Sequence, residues 1–269
     1  MGSNQMNIDK MNNQENNSNQ DNKHQDNKHQ DNKNLKVVAL IPARSGSKGI
    51  PHKNIKQYHN EPLIAHSINI AKNSSYITDI VVSTDSEEYK KIAEEHGARC
   101  PFLRPSEISN DLSTDYEFIK HYVEWIKSND HENVPDLIVQ LRPTYPNRKI
   151  YDLNKSIQLM IENGDYTSLR TVIEYEKSPY KMYLTENNIL KPLFEKVNEL
   201  NEPYNRCRQD LPRTYLHNGC IDIIRTSSFI KYDSITGPKI YAYIMDKEEV
   251  NDIDSLEDWE KSEIKFNKN

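Results

Sequence analysis

The fold is decided by residues 36–54, which read KVVALIPARSGSKGIPHKN. The first part, residues 37–41, is a continuous apolar run of the kind found in a strand that is buried on both faces. The second part is polar and contains two glycines, Gly46 and Gly49, just beyond the end of that run. This stretch therefore predicts the first strand of a buried sheet, with a polar loop at its carboxyl end.

Outward from this stretch, helical and strand patterns alternate. The spacing of apolar residues predicts helices over residues 63–71, 87–96, 114–127, 151–162 and 256–266, and strands over residues 78–84, 137–141, 167–173, 220–224 and 240–245. Such alternation predicts an α/β fold with a mostly parallel sheet, whose ligands bind beyond the carboxyl ends of the strands. Residues 174–210, interrupted by Pro179, Pro192 and Pro203, are an excursion from the sheet for substrate binding or subunit contact.

The low mean hydropathy of -0.90 comes partly from the amino-terminal tail. Residues 1–34 contain 11 Asn and four apolar side chains, and the pentapeptide DNKHQ is repeated at residues 21–25 and 26–30. Such a segment buries too little apolar surface to offset its chain entropy. We predict a disordered, low-complexity tail over residues 1–34 and one domain over residues 35–269, which is long enough to bury a core.

Charge, hydropathy and cysteine content indicate which partners and which cellular compartment to expect. The formal net charge is -6, about -5 of it in residues 35–269, without a basic stripe, which argues against nucleic acid as a partner. No apolar run reaches the ~18 residues of a membrane span. Three widely spaced cysteines, Cys100, Cys207 and Cys220, are typical of reduced thiols, so we expect a cytoplasmic protein without a membrane partner.

The loop after the first strand concentrates positive charge. Arg44, Lys48 and Lys53 crowd this segment, and Gly46 and Gly49 allow its backbone amides to approach an anion. A polyphosphate would gain both charge neutralisation and hydrogen-bond donors here. A solvated basic loop is the alternative. The segment matches neither the P-loop nor the Gly-x-Gly-x-x-Gly pattern.

Carboxylates form the second chemical signal. Asp252 and Asp254, here called the Asp pair, are spaced so that both carboxylates point to one side, as at a Mg²⁺ site beside nucleotide phosphates. Simple surface acidity is the alternative for this pair. Asp85 follows the second strand and is either a ligand-site residue or the N-cap of the helix that begins at Glu87.

Seven ordered blocks give the sequence a family resemblance. They are IPARSGSKG (41–49) with KN (53–54), STD (83–85), LRP (103–105), RPTYP (142–146), RQDLP (208–212), NG (218–219) and DIDS (252–255). In this order they resemble the cytidylyltransferase family typified by CMP-N-acetylneuraminate (CMP-sialic acid) synthetases. The resemblance implies a Rossmann-like nucleotide-diphospho-sugar transferase fold. It also implies a homodimer whose subunits exchange an extension, here about residues 174–210.

The resemblance also implies an activity and a set of site residues. Similar enzymes use CTP and Mg²⁺ to activate a small acidic acceptor, a nonulosonic (sialic acid-type) sugar acid, and release pyrophosphate for surface glycan synthesis. The residues that match nucleotide-binding positions are Ala43, Arg44, Ser45, Gly46, Lys48, Lys53, Asn54, Asp85 and Arg104. Those that match acceptor positions are Arg142, Thr144, Lys181, Arg208 and Asn218. Asp252 and Asp254 match the metal ligands, and the predicted catalytic groups are Arg44, Lys48, Lys53 and Asp252.

Two departures from the family pattern leave the acceptor open. Sialate-activating relatives usually have Gln where this chain has Arg142, and Arg-Pro where it has Leu216 and His217. Arg142 either restores the charge lost at position 216 or indicates a different acceptor, since a planar bidentate donor suits carboxylate or phosphate. The alternatives are a CDP-forming enzyme that acts on a phosphorylated small molecule such as phosphoglutamine, a relative that uses another nucleoside triphosphate, and a catalytically silent nucleotide-binding protein.

Overall fold

The structure is a computed structural model that describes residues 35–247 and 252–266. The predicted disordered tail, residues 1–34, lies outside the described residues. None of the described helices is both long enough and apolar enough to cross a membrane.

The predicted helices and most predicted strands are present with shifts of one or two residues at their ends. The α-helices of the described residues are α1 (Leu63–Lys72), α2 (Glu87–Glu95), α3 (Asp115–Asn129), α4 (Ile150–Glu162), α5 (Thr226–Tyr232) and α6 (Leu256–Phe266). The strands are β1 (Val37–Pro42), β2 (Gln57–Tyr58), β3 (Glu61–Pro62), β4 (Asp79–Ser83), β5 (Leu137–Gln140), β6 (Ser168–Glu174), β7 (Tyr183–Glu186), β8 (Ile189–Pro192), β9 (Lys196–Val197), β10 (Leu200–Asn201), β11 (Tyr215–Arg225) and β12 (Ile240–Ile244).

A mainly parallel sheet forms the centre of the molecule, in the order β12-β6-β11-β5-β1-β4. Strand β1 pairs in parallel with β4 and β5, and β12 pairs in parallel with β6. Strand β11 runs antiparallel to both of its neighbours, β5 and β6, and is longer than the predicted residues 220–224 because it extends back to Tyr215. The α/β fold with a mostly parallel sheet is therefore confirmed.

Helices cover both faces of this sheet. On one face, Val37, Ala39 and Ile41 of β1 pack in a cluster with buried residues of α1, α2 and α4. On the other face, Val38 and Leu40 pack with buried residues of α3 and α5. Because successive side chains of a strand point to opposite faces, the apolar run 37–41 supplies both layers of the core. Strand β1 is thereby fixed at the centre, and its carboxyl end becomes the base of a site.

A small third cluster ties the loop after β1 to the carboxyl-terminal segment. Ile50 of the loop and Tyr58 of β2 pack with Ile253 and with Trp259 of α6, and all four are buried. The carboxyl-terminal segment is therefore held against the loop by apolar contacts between residues that are about 200 positions apart in the sequence.

Residues 174–210 form the excursion that the prolines predict. They contain the hairpin β7–β8, the short pair β9–β10 and three single-turn helices. Large apolar side chains on this segment face solvent, among them Leu184, Ile189 and Leu190, each more than 60% exposed. Exposed apolar side chains that are grouped in one segment mark candidate interaction sites.

Candidate active site

A cavity of about 450 Å³ opens beside the carboxyl end of β1, where parallel sheets bind their ligands. The predicted site residues that line it are Arg44, Lys48, Lys53, Asn54, Arg104, Arg142, Thr144 and Asp254. Residues from the loop after β1, from the segment that leads into α3, from the end of β5 and from the carboxyl-terminal segment therefore converge on one space.

We call residues 42–54, which follow the buried part of β1, the cation loop. Asp85 holds this loop in place through Ser45. The Asp85 carboxylate accepts hydrogen bonds from the Ser45 backbone N–H, at 2.8 Å, and from Ser45 Oγ, at 2.7 Å. The interpretation of Asp85 as the N-cap of α2 is wrong, because Ser86 occupies the N-cap position and its hydroxyl accepts from the Tyr89 N–H. Asp85 and Ser45 thus shape the loop, and Ala43, near the start of the loop, is buried.

The cation loop and the Asp pair are in direct backbone contact. A Cβ added at Gly49 would overlap the carbonyl oxygen of Asp254, so only glycine allows this approach. Nothing lies within 4 Å of a Cβ added at Gly46, which leaves that position open. Lys53 completes the junction, because its Nζ donates to the Ile253 carbonyl at 2.7 Å and to Asp254 Oδ1 at 3.1 Å.

The Asp pair lies on either side of buried Ile253, whose N–H donates to the Thr144 carbonyl at 3.0 Å. Asp254 lines the cavity and Asp252 lies against Thr144 and Tyr145. Desolvation, together with the charge of Asp254, raises the pKa of Asp252, while hydrogen bonds from Thr144 and Tyr145 oppose the rise. A divalent cation relieves the repulsion between two adjacent carboxylates, so the Asp pair is a favourable setting for such an ion.

The Asp pair provides two ligands and leaves the remaining positions to other groups. Among the described residues, no group of three or more His, Cys, Asp or Glu side chains could hold a metal ion. Mg²⁺ is commonly bound by one or two carboxylates together with waters and substrate phosphates, rather than by a cage of protein ligands. The donor set beside the cation loop fits that pattern.

An acidic residue that the sequence analysis missed, Asp111, bridges two of the loop cations. Its Oδ1 accepts from Arg44 Nη1 at 2.9 Å, and its Oδ2 pairs with Lys48 Nζ. Hydrogen bonds from Lys48 and Arg44 hold the pKa of Asp111 below its usual value. Asp111 thus draws the two cations together at the mouth of the cavity, where Lys48 remains largely exposed.

Arg104 differs from the other cations of the cavity because it is buried, with an exposed fraction of 6%, and because its hydrogen-bond donors are incompletely paired. Its Nε and Nη2 atoms have no hydrogen-bond partner within the described chain, and its guanidinium lies 5.7 Å from the Phe118 ring centroid. Burial lowers the pKa of Arg104 to about 10, an effect that Asp85 opposes. Buried donors without acceptors are costly, so this arrangement is suited to a ligand that presents acceptor atoms. Asn54 is buried nearby and donates to the Arg44 carbonyl at 3.0 Å.

Arg142 is tied to protein groups from three directions. Its Nη1 donates to the Gly219 carbonyl at 2.7 Å and to Asp222 Oδ2 at 2.8 Å, and its Nη2 pairs with Asp115. The charges of Asp222 and Asp115 outweigh desolvation and raise the pKa of Arg142. Gly219, at φ 73°, lies so close to Nη1 that a side chain would crowd the guanidinium. Arg142 is therefore not the unengaged bidentate donor for a carboxylate or phosphate that the sequence suggested.

His217, the other departure from the family pattern, binds the same carboxylate. Its Nε2 donates to Asp222 Oδ1 at 2.7 Å, and Asp222 is 5% exposed. The hydrogen bond from His217 and the charge of Arg142 keep the pKa of Asp222 low despite its burial. We call Asp115, Arg142, His217 and Asp222 the Arg142 network. The two departures thus belong to one set of contacts.

Three predicted acceptor residues lie away from the cavity in this chain. Lys181 and Arg208 are exposed in single-turn helices of the segment 174–210. Asn218 uses its side chain within the sheet, where Oδ1 accepts from Thr171 Oγ1 at 2.6 Å and from the Cys220 N–H at 3.0 Å. Asn218 therefore shapes the irregular turn of β11 that places the Gly219 carbonyl beside Arg142.

The residues that sequence reasoning missed are the acidic partners of predicted cations: Asp111, Asp115 and Asp222. The available signal was the pair of acids at the two ends of the segment 111–115, which leads into the long helix α3. Their partners lie 27 to 80 residues away along the chain, so no local spacing indicates the pairing.

Comparisons with known proteins agree on one class of enzyme. A family model described as cytidylyltransferase matches residues 38–255. The chain is 30% identical over 236 residues to a pseudaminic acid cytidylyltransferase of Campylobacter jejuni, with 87% of this chain and 98% of that protein covered. It is 32% identical over 236 residues to the CMP-N,N'-diacetyllegionaminic acid synthase of Legionella pneumophila, which is 95% covered, as is 85% of this chain.

A longer relative and a solved structure complete the comparison. An N-acylneuraminate cytidylyltransferase of Escherichia coli is 32% identical over 227 residues, which are 84% of this chain and 51% of that protein, so the chain spans about half its length. The structure of a CMP:2-keto-3-deoxy-manno-octonic acid synthetase complexed with CTP superposes with a TM-score of 0.63 at 17% identity, covering 87% of this chain and 99% of that one. That likeness shows a shared fold.

Proposed function

The chain belongs to the cytidylyltransferase family and is therefore a nucleotidyltransferase, and from this premise we propose that it transfers CMP from CTP to a nonulosonic (sialic acid-type) sugar acid. Pyrophosphate is the second product, and the activated sugar serves surface glycan synthesis. The observation that carries the proposal is the cavity itself, where Arg44, Lys48 and Lys53 meet Asp254 beside a buried, incompletely paired Arg104. Relatives that are named for sialic, pseudaminic and legionaminic acids support the acceptor class.

In this proposal Arg104 and Asn54 bind the cytosine. The Watson–Crick edge of cytosine presents two acceptors, O2 and N3, which match the buried Nε and Nη2 donors of Arg104. Uracil carries a hydrogen on N3 and would place a donor against one of these donors. A site whose buried donors are left unpaired by the wrong ligand discriminates strongly. This chemistry favours CTP over UTP.

The cation loop binds the triphosphate. Arg44 and Lys48 contact its oxygens once they are released from Asp111, and Lys53 lies on the other side, beside Asp254. Gly49 and Gly46 keep the loop backbone accessible to the phosphates. During transfer, negative charge grows on the non-bridging oxygens of the α-phosphate and on the departing pyrophosphate, and these three cations stabilise it.

Asp252 and Asp254 are the residues that would hold Mg²⁺. When bound, the ion would supply charge neutralisation between the α-phosphate and the leaving pyrophosphate. Lys53 keeps Asp254 oriented toward the cavity through its 3.1 Å contact. Attack in line with the leaving group needs no covalent enzyme intermediate.

We further propose a homodimer in which the exposed apolar face of residues 174–210 packs against a second copy. Lys181 and Arg208 lie on this segment, outside the cavity of their own chain, and an exchanged extension would bring them to the acceptor side of the partner's site. The cytoplasmic location stays a prediction that rests on three widely spaced cysteines typical of reduced thiols.

The proposed function is tested by measuring pyrophosphate release with each of the four nucleoside triphosphates, Mg²⁺, and a panel of sialic, legionaminic and pseudaminic acids. We expect turnover with CTP and at least one of these acids, and none with UTP or GTP. Lys48→Ala should abolish turnover, whereas Lys91→Ala, a control at an exposed position of helix α2, should not. Turnover only with a phosphorylated acceptor such as phosphoglutamine would refute the sugar-acid assignment and favour the CDP-forming alternative.

A further inference from the structure

The Arg142 network presents a carboxylate as well as a cation to the cavity. Asp115 and Arg142 both line the cavity, and their side chains are 35% and 20% exposed. The second carboxylate of the network belongs to Asp222, which is buried and lies behind Arg142. Asp115 is therefore the accessible acid of this part of the cavity.

The charge of the network does not suit an anion. Two carboxylates, Asp115 and Asp222, already pair with the one guanidinium, so the positive charge of Arg142 is balanced by protein groups. An acceptor carboxylate or phosphate at this position would have to displace Asp115 from Arg142 or approach it against like-charge repulsion. Either route leaves a carboxylate without its partner, which is costly in a partly buried site.

The network is also rigid, so its hydrogen-bonding groups are fixed in direction. Three of the five N–H donors of Arg142 are engaged by Gly219, Asp222 and Asp115. The Arg142 backbone carbonyl is itself held by Arg148 Nη2 at 3.0 Å. Asp115 is the first residue of α3, where the helix dipole stabilises a carboxylate.

We propose that Asp115 is a specificity-determining residue that accepts a hydrogen bond from a neutral donor of the acceptor, a hydroxyl or an amide N–H, beside the Asp115–Arg142 ion pair. The inference rests on the proposed function. It adds which chemical group of the acceptor contacts the part of the cavity that Asp115 and Arg142 line. A neutral donor bonds to the remaining lone pairs of Asp115 and leaves the ion pair intact. The acid group of the acceptor is then bound elsewhere in the site.

The test combines one substitution with a series of acceptor analogues. Asp115→Asn keeps the size of the side chain and an oxygen for Arg142, but removes the charge. The acceptors are a sugar acid that the wild-type protein turns over and analogues of it that each lack a single hydroxyl or carry a hydroxyl in place of the acetamido group. Asp165→Asn is the matched control, since Asp165 is exposed and pairs with Lys239 at 3.5 Å.

We expect one analogue to lose about 10- to 100-fold in kcat/KM with the wild-type protein, the usual range for a hydrogen bond to a charged group. The same analogue should lose little with Asp115→Asn, because the variant has already lost that bond. Whether the sensitive analogue lacks a hydroxyl or the amide identifies the donor. The KM for CTP should stay within about twofold, and the control should retain the full discrimination; a purely structural role would reduce turnover of all acceptors alike.

Two results would overturn the inference while the proposed function stands. One is an equal loss for every analogue in the wild-type protein and in Asp115→Asn. The other is a lower KM of Asp115→Asn for the intact acid, which would show that Asp115 opposes an anion bound at Arg142. Absence of turnover with every sugar acid would instead overturn the proposed function and this inference with it.

Discussion

Replacement of Arg104 by methionine should stabilise the protein without nucleotide and weaken its binding of CTP. The guanidinium is buried, its Nε and Nη2 atoms are without hydrogen-bond partners among the described residues, and burial lowers its pKa to about 10. A shift of this size corresponds to roughly 3 kcal/mol of unfavourable free energy for the charged form in the folded protein. The unpartnered donors express the same desolvation, so their cost is not added to it.

Part of that cost is offset within the protein. The Phe118 ring, 5.7 Å from the guanidinium carbon, contributes about 0.5–2 kcal/mol of cation–π attraction. Methionine keeps an unbranched apolar stem against Phe118 and removes the charge. We therefore expect the free energy of unfolding without ligand to rise by about 1–2 kcal/mol, which raises Tm by about 2–4 °C per kcal/mol in a domain of this size.

The sign with respect to pH follows from the direction of the shift. Arg104 has a lower pKa in the folded protein than in the unfolded chain, so its unfavourable contribution is complete below about pH 10 and disappears as the pH rises toward the unfolded value. The stability difference between Arg104→Met and wild type should therefore be constant from about pH 6 to pH 9.

Urea unfolding and thermal denaturation, each with and without CTP, measure both effects. A ligand at about 100 times its Kd stabilises the folded state by about 2.7 kcal/mol, and this increment should be mostly lost in Arg104→Met. Arg99→Met is the control, since Arg99 is half-exposed and pairs with Asp79 outside the cavity. A less stable Arg104→Met protein, or an unchanged CTP increment, would refute the reasoning.

Further predictions concern the junction between the cation loop and the Asp pair. Gly49→Ala should lower kcat/KM at least tenfold, because the new Cβ overlaps the Asp254 carbonyl, while Gly164→Ala, a control with open space around the new Cβ and outside the cavity, should behave as wild type in the same pyrophosphate assay; equal activities would contradict the contact. Lys53→Met should reduce kcat by about 10²- to 10³-fold, the usual loss for one transition-state donor, in single-turnover measurements; a change below threefold would exclude that role. Asp252→Asn should abolish turnover at every Mg²⁺ concentration, and EDTA should do the same to the wild type reversibly; activity in EDTA would remove the metal from the proposal.

The sequence determined the architecture because that information is local. The apolar run 37–41 predicts a strand with two buried faces, and it supplies both layers of the core. The alternation of helical and strand periods predicts the mostly parallel sheet, apart from the direction of β11. Ordered blocks of residues predicted the family, and the polar loop after β1 lies at the cavity as expected.

Only the tertiary structure decided which groups pair within the site. Asp85 binds Ser45 rather than capping α2, and Arg142 is matched by Asp222, which lies 80 residues further along the chain. Sequence spacing specifies the direction of a side chain on its own strand or helix, but not which element packs opposite it. The charge that the acceptor meets depends on that packing, since Asp115 reaches Arg142 only because α3 begins beside the end of β5. The cations of the cavity could therefore be predicted from the sequence, whereas the acids that pair with them, and so the net charge that a ligand meets, depend on the fold.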